Sequence, residues 1–153
     1  MLYKTATEAW HVESLAPRLR DCDKAELQAS SGLDSAEAVS RSVDHCIYNV
    51  SIMKGDIPIA IFGATASEDN SALVWMVASD DIEKHPMTIL KHCKEEITSI
   101  HQEVGADLLW NVTDKRNTLH HKWLKWCGFS FIREMRWGPE NLLFYEFGRL
   151  QHV

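Results

Sequence analysis

Residues 107–129 read Asp-Leu-Leu-Trp-Asn-Val-Thr-Asp-Lys-Arg-Asn-Thr-Leu-His-His-Lys-Trp-Leu-Lys-Trp-Cys-Gly-Phe. The run Asp107 to Val112 is short, apolar and bounded by polar residues, the pattern of a buried strand. A polar turn follows, and the Asn117 side chain can accept a bond from an early backbone N–H and open a helix. Leu119, Trp123 and Trp126 recur at helical spacing and predict its apolar face. Lys122 and Lys125 fall near the carboxyl end, where the helix dipole favours cations. Gly128 is a left-handed stop, and Phe129, Phe131 and Ile132 begin another strand.

The same reading extends in both directions. Upstream, Leu90, Cys93, Ile97, Ile100 and Val104 step by three and four, which predicts a helix over 86–104 with Pro86 in its first turn and Gly105 at its end. Before it, Ile47 to Lys54, Ile57 to Thr65 and Leu73 to Ala78 form a β meander, with a turn at Gly55-Asp56 and a polar loop at 67–71. The second and third runs are apolar on both faces, as expected of central strands covered on both sides. Residues 79–85 cross from the meander to the helix. Near the start, residues 7–12 read as a short strand and Glu13 to Ser30 as a helix ended by Gly32. Pro17 is tolerated only near a helix start, so that helix begins around Leu15 or Ala16. Asp34 and Glu37 resemble a capping box, followed by Ala36, Val39, Val43 and Cys46 at helical spacing. Downstream, a strand over 129–136, a turn at Gly138-Pro139 and a strand from Leu142 to Phe147 close the chain. The expected fold is α/β: a mixed central sheet of about seven strands flanked by four helices, in one domain over residues 1–153.

The 153 residues allow one core. A net charge of −6 argues against coating nucleic acid, which needs a basic face. The four cysteines, Cys22, Cys46, Cys93 and Cys127, are widely spaced, and three lie on apolar helix faces, so buried reduced thiols are expected. The histidine and cysteine spacings do not match a zinc site. No run is long and apolar enough to span a membrane, and the amino terminus lacks a signal-peptide core. These features point to a cytosolic setting without metal, membrane or nucleic-acid partners.

The Asn117, helix, Gly128-Phe129 pattern resembles the last motif of the GNAT family of N-acetyltransferases, in which an Asn opens a helix that ends in Gly-Phe. The tyrosine that usually stands four residues before the Gly, a frequent general acid of the family, is Leu124 here. The element order also resembles that family. A narrower resemblance is to the small internal virion proteins of short-tailed podophages. It rests on Leu109-Trp110-Asn111-Val112, Asn117, the His120-x-x-Trp123-Leu124-Lys125 helix, Gly128-Phe129, the Phe-rich final strand and Ala16-Pro17-Arg18-Leu19-Arg20 with Asp23.

The resemblance implies where acetyl-coenzyme A would bind. Met76 and Val77 stand where the family's fourth strand pairs with pantetheine, and Asn117 is a cofactor contact by the same analogy. The family's pyrophosphate loop, Gln/Arg-x-x-Gly-x-Gly/Ala, corresponds to Ser79 to Thr88. That stretch has no glycine and carries Asp80, Asp81 and Glu83 against Lys84 and His85. Like charges about 5 Å apart repel by roughly 3 kcal/mol at an effective dielectric near 20, which opposes a phosphate contact. Helix capping is the favoured role for these acids. Lys84, His85 and Lys91 are the groups left to hold phosphate. Asn117 and His120 are the candidate catalytic residues; an imidazole titrates in the range a base needs, although a histidine on a helix is more often simply exposed.

The two resemblances lead to two expectations. The first is a phage protein of acetyltransferase-like fold, degenerate at the pyrophosphate loop, acting in virion assembly or by binding a host protein, and found in the virion interior or the host cytoplasm. The alternative is an active acetyl-coenzyme A-dependent N-acetyltransferase for an amine of a protein or small molecule.

Overall fold

The computed structural model describes residues 1–151. One seven-stranded sheet runs through it, with strand order β1-β2-β3-β4-β5-β7-β6. The strands are β1 (Leu2–Ala6), β2 (Tyr48–Lys54), β3 (Ile57–Ser67), β4 (Ser71–Ala78), β5 (Leu108–Asp114), β6 (Ser130–Trp137) and β7 (Leu142–Leu150). All neighbours are antiparallel except β4 and β5. That mixed sheet, with helices on both faces, is the expected class.

Five α-helices flank the sheet rather than four. They are α1 (Ala9–Leu15), α2 (Asp21–Ser31), α3 (Ser35–Asp44), α4 (Pro86–Val104) and α5 (Thr118–Trp126). The difference lies at the amino end. The expected strand over 7–12 is replaced by β1 ahead of it and by α1, whose buried residues are His11, Val12 and Leu15. The expected single helix over 13–30 is divided by a 3-10 turn at Ala16–Arg18. Pro17 has no N–H to give, so the chain bends there and restarts at Asp21.

The two faces have separate cores. On one, α4 and α5 cover Phe62, Ala64, Val74 and Met76 through Ile89, Cys93, Ile97, Trp123 and Leu124. On the other, Val12, Leu15, Leu19 and Val39 cover Ile61 and Val77. The period-2 alternation of β3 and β4 feeds both layers, which is why these strands read as apolar throughout. Gly63 lets the Trp75 indole lie across β3, because a Cβ there would overlap that ring. Helix α4 matches its expected bounds and ends at Gly105 with φ +69°.

Helix α5 is rotated from its expected face. Its buried residues are His120, His121, Trp123 and Leu124, while Leu119 and Trp126 are about half exposed. A nine-residue helix holds few apolar positions, so its phase is set by its ends. Here the Asn117 cap and the return into β6 at Phe129 decide it. His120 stacks on Trp123, and the His121 ring meets Phe131 and Tyr145 edge-on. Cys93 and Cys127 are buried as expected, while Cys22 and Cys46 are only partly so.

Candidate functional site

The parallel pair β4–β5 is joined only over Ser71–Leu73 and Leu108–Trp110. Beyond that the strands separate and leave a gap between Val74–Ala78 and Asn111–Asp114. Which peptides face the gap follows from the ladders outside it. Ser79 donates to Ile59 on β3 and Lys115 donates to Leu143 on β7. Strand alternation then turns Val74, Met76 and Ala78 toward β5, and Val112 and Asp114 toward β4.

The peptide groups of Val74, Ala78, Val112 and Asp114 are bonded from within the chain. Asn111 spans the gap: its Nδ2 donates to the Val74 carbonyl at 2.9 Å and its Oδ1 accepts from Val112 N–H at 2.7 Å. Asp23 on α2 accepts from Ala78 N–H at 3.0 Å, and the Arg20 N–H donates to the Ala78 carbonyl at 2.9 Å. Glu26, one turn further along α2, accepts from Asp114 N–H at 2.9 Å and from the Thr113 hydroxyl at 2.7 Å. Helix α2 therefore clamps β4 to β5 where the ladder stops. Met76 is the β4 position between the two tied ones.

Burial sets the electrostatics. Asp23 is buried with Arg20, whose Nε and Nη2 reach its carboxylate at 3.0–3.1 Å. Desolvation pushes the Asp23 carboxyl up, and Arg20 and the Ala78 amide offset part of that. Glu26 has only neutral donors. Burial raises it to about 7, against the bonds from Thr113, Asp114 and Asn117, and the Asp23 charge adds to the rise. His120 is driven down to about 3, first by burial and then by Arg20.

The residues singled out by sequence fall in different places. Met76 faces the gap, while Val77 turns its peptide to β3 and its side chain to the α1–α3 layer. Asn117 caps α5, accepting from His120 N–H at 3.3 Å, and donates to Glu26 at 3.2 Å. His120 is buried, where exposure was the commoner expectation. Residues Asp80–Lys84 form a 3-10 turn that Ser79 opens. The acids there do not cap α4, whose N-cap is His85 without a side-chain bond. Instead Asp81 accepts from Ser79 Oγ at 3.0 Å and pairs with Lys84 at 3.2 Å, which holds its carboxyl below the usual range. Lys84 is thus already engaged. Asp23 and Glu26 were not among the sequence candidates. Their spacing of three on one helix face was a visible signal, but two acids on a helix usually mark a solvated face.

A Ser–His–Glu arrangement also occurs on the same face of the sheet, between α1 and β2. Ser51 Oγ lies 2.9 Å from His11 Nδ1, and His11 Nε2 lies 3.7 Å from Glu8. The Glu8 backbone N–H donates to the same Nδ1 at 3.0 Å, so the ring proton sits on Nε2. Ser51 and His11 are buried, which leaves no room for a substrate. Among the described residues no group of three or more His, Cys, Asp or Glu is placed to hold a metal ion, and no helix is long and apolar enough to cross a membrane.

The sheet order, the gap between the parallel strands and the helix opened by Asn117 define the GNAT acetyltransferase fold. Among solved structures of that fold, Ard1 from Thermoplasma volcanium superposes with a TM-score of 0.78 at 10% identity, over 97% of each chain. A GNAT-family acetyltransferase from Streptococcus pneumoniae gives 0.67 at 15%, over 98% of this chain and 99% of that one. The ribosomal L7/L12 alpha-N-protein acetyltransferase RimL, solved in complex with coenzyme A, gives 0.70 at 13%, over 97% and 93%. No family model matches the sequence, and no curated protein does.

Proposed function

We propose that this is a phage protein of acetyltransferase fold, degenerate at the coenzyme A site, that works by binding another protein, either a virion component during assembly or a host protein. It would then act in the virion interior or the host cytoplasm. The observation that carries the reading is the occupation of the β4–β5 gap by Asp23, Glu26 and Asn111. A pantetheine arm laid along β4 would compete with bonds the chain already makes. The crossover adds to this: it has no glycine for close approach of phosphate, and Lys84 is paired with Asp81. The residues present do not fit an ordinary pyrophosphate cradle.

Calorimetry with acetyl-coenzyme A tests it. Silence up to millimolar cofactor is expected, and micromolar binding lost on charge reversal at Lys84 or Lys91 would overturn the reading. Pull-down from phage-infected cells tests the partner, and recovery of no virion or host protein would count against it.

One observation favours the alternative, an active acetyl-coenzyme A-dependent N-acetyltransferase. Glu26, held near 7 on the wall of a cavity, has the proton affinity of a general base for an amine. In that reading Met76, Val77, Lys84, His85 and Asn117 are the cofactor contacts, and the same calorimetry decides.

A further inference from the structure

A cavity of about 410 Å³ opens over the β4–β5 gap on the α1–α3 face. Trp75 and Asn111 belong to its floor strands, Glu26 and Ser30 come from α2, and Trp137 comes from the end of β6. We propose that this cavity receives an arginine side chain of a partner protein, with the guanidinium held by Glu26 and stacked on Trp137. The inference rests on the reading of the chain as a binding protein and names what its partner must present.

The charge balance of α2 is the first argument. Asp23 and Glu26 stand one turn apart, and Arg20, the one buried Lys or Arg among the described residues, pairs with Asp23. The three donors to Glu26 all meet Oε1. Among the described residues no donor meets Oε2. When ionised, Glu26 is therefore a partly buried carboxylate without a counter-charge, the condition that a cationic ligand relieves. The basic side chains on the far wall do not supply it: Arg41 pairs with Glu37 at 2.8 Å, and the His45 ring bonds the Arg41 carbonyl.

The aromatic walls are the second. Trp137 is 42% exposed, which leaves an indole face open at the cavity mouth, and Trp75 is part-buried opposite the helices. Guanidinium is planar and more weakly hydrated than ammonium, so it stacks on an indole and enters a half-dry cavity at lower desolvation cost. Its several donors can also reach the Ser30 hydroxyl, which an ammonium point charge satisfies less well.

The groups around Glu26 are Asp23 from α2, the Thr113 hydroxyl and Asp114 N–H from β5 and Asn117 ahead of α5, with Arg41 and His45 from the α3 side of the cavity. With half-ionisation near pH 7, its charged fraction rises from about a tenth at pH 6 to about nine tenths at pH 8, so affinity for a cation should rise about tenfold.

The test is calorimetry of the full chain with N-acetylarginine amide, N-acetyllysine amide and N-acetylnorleucine amide at pH 6 and pH 8. The arginine probe should bind at least tenfold tighter than the norleucine probe and several-fold tighter than the lysine probe, and tighten about tenfold at pH 8. Glu26→Gln should lose that pH dependence. Trp137→Ala, an exposed substitution, should weaken arginine several-fold while the protein stays folded by circular dichroism. Equal binding of arginine and norleucine probes, a preference for lysine, or an unchanged pH profile in Glu26→Gln overturns the inference. Acetyl-coenzyme A titrated separately reads the parent proposal: micromolar cofactor binding sinks that reading, whereas arginine silence with cofactor silence sinks only this one.

Discussion

Glu26 and Asn117 are hydrogen-bonded, Nδ2 to Oε1 at 3.2 Å, across 91 positions of sequence. Asn117 uses its other atom to cap α5, so one amide joins the helix that clamps the gap to the helix that follows it. Replacing it separates the two tasks. Asn117→Asp keeps the cap acceptor but sets a second carboxylate against Glu26. It should be destabilising by more at pH 8, where both are charged, than at pH 5, where Glu26 is neutral. Asn117→Ala should cost about 1–2 kcal/mol for the cap at either pH. Urea titrations of both variants at the two pH values check this.

The pH dependence of stability should contain two opposed contributions. Glu26 has a folded pKa raised from 4.5 to about 7. Its contribution is fully present below 4.5 and is lost as pH rises through 7, by about 3 kcal/mol. His120 has a folded pKa lowered from 6.5 to about 3. Its contribution is present above 6.5 and is lost as pH falls toward 3, by about 5 kcal/mol at most. Between pH 4.5 and 6.5 the two offset. Glu26→Gln should therefore gain stability steadily with pH in that window, and His120→Phe should lose it. Chemical denaturation of the three proteins from pH 4.5 to 7 reads the slopes; equal slopes in all three would contradict both assignments.

Arg20 and Asp23 form a buried pair that also holds the Ala78 peptide. Arg20→Met leaves a buried carboxylate without its cation and should cost about 3–5 kcal/mol. The double substitution Arg20→Met with Asp23→Leu should recover much of that, because it removes both charges, although Ala78 N–H then loses its acceptor. A double-mutant cycle by urea denaturation measures the coupling.

Much of the sheet was readable because its signals are local. Strands β3 and β4 are apolar on both faces, and α4 opens on Pro86 and stops at Gly105, so periodicity and punctuation agreed. The amino end was harder: Leu2–Ala6 is an edge strand whose residues are mostly exposed, so it lacks the apolar alternation that marks buried strands. Helix α5 misled for a different reason. Two adjacent histidines occupy its buried face while Leu119 and Trp126 face outward, and hydropathy alone ranks those the other way round. The clamp was not readable as one: the spacing of Asp23 and Glu26 on one helix face was visible, but its use was not. Nothing local in the stretch around Asp23 and Glu26 says that strands more than fifty positions away will diverge and leave amides for them to take.

Asn111 is the part of the clamp contributed by the sheet itself. Its side chain bonds Val74 on one edge and Val112 on its own edge, and so replaces the next rung of the parallel ladder. Asn111→Ala removes the acceptor of one N–H and the donor to one carbonyl in a part-buried place, which should cost about 1–3 kcal/mol. The loss should also be local. Hydrogen exchange at Val112 should speed up well beyond the change in global stability, while amides of the β2–β3 and β6–β7 ladders should follow the global value. Exchange measured residue by residue gives the answer: uniform acceleration across the sheet would mean that Asn111 serves general stability and does not bridge the gap.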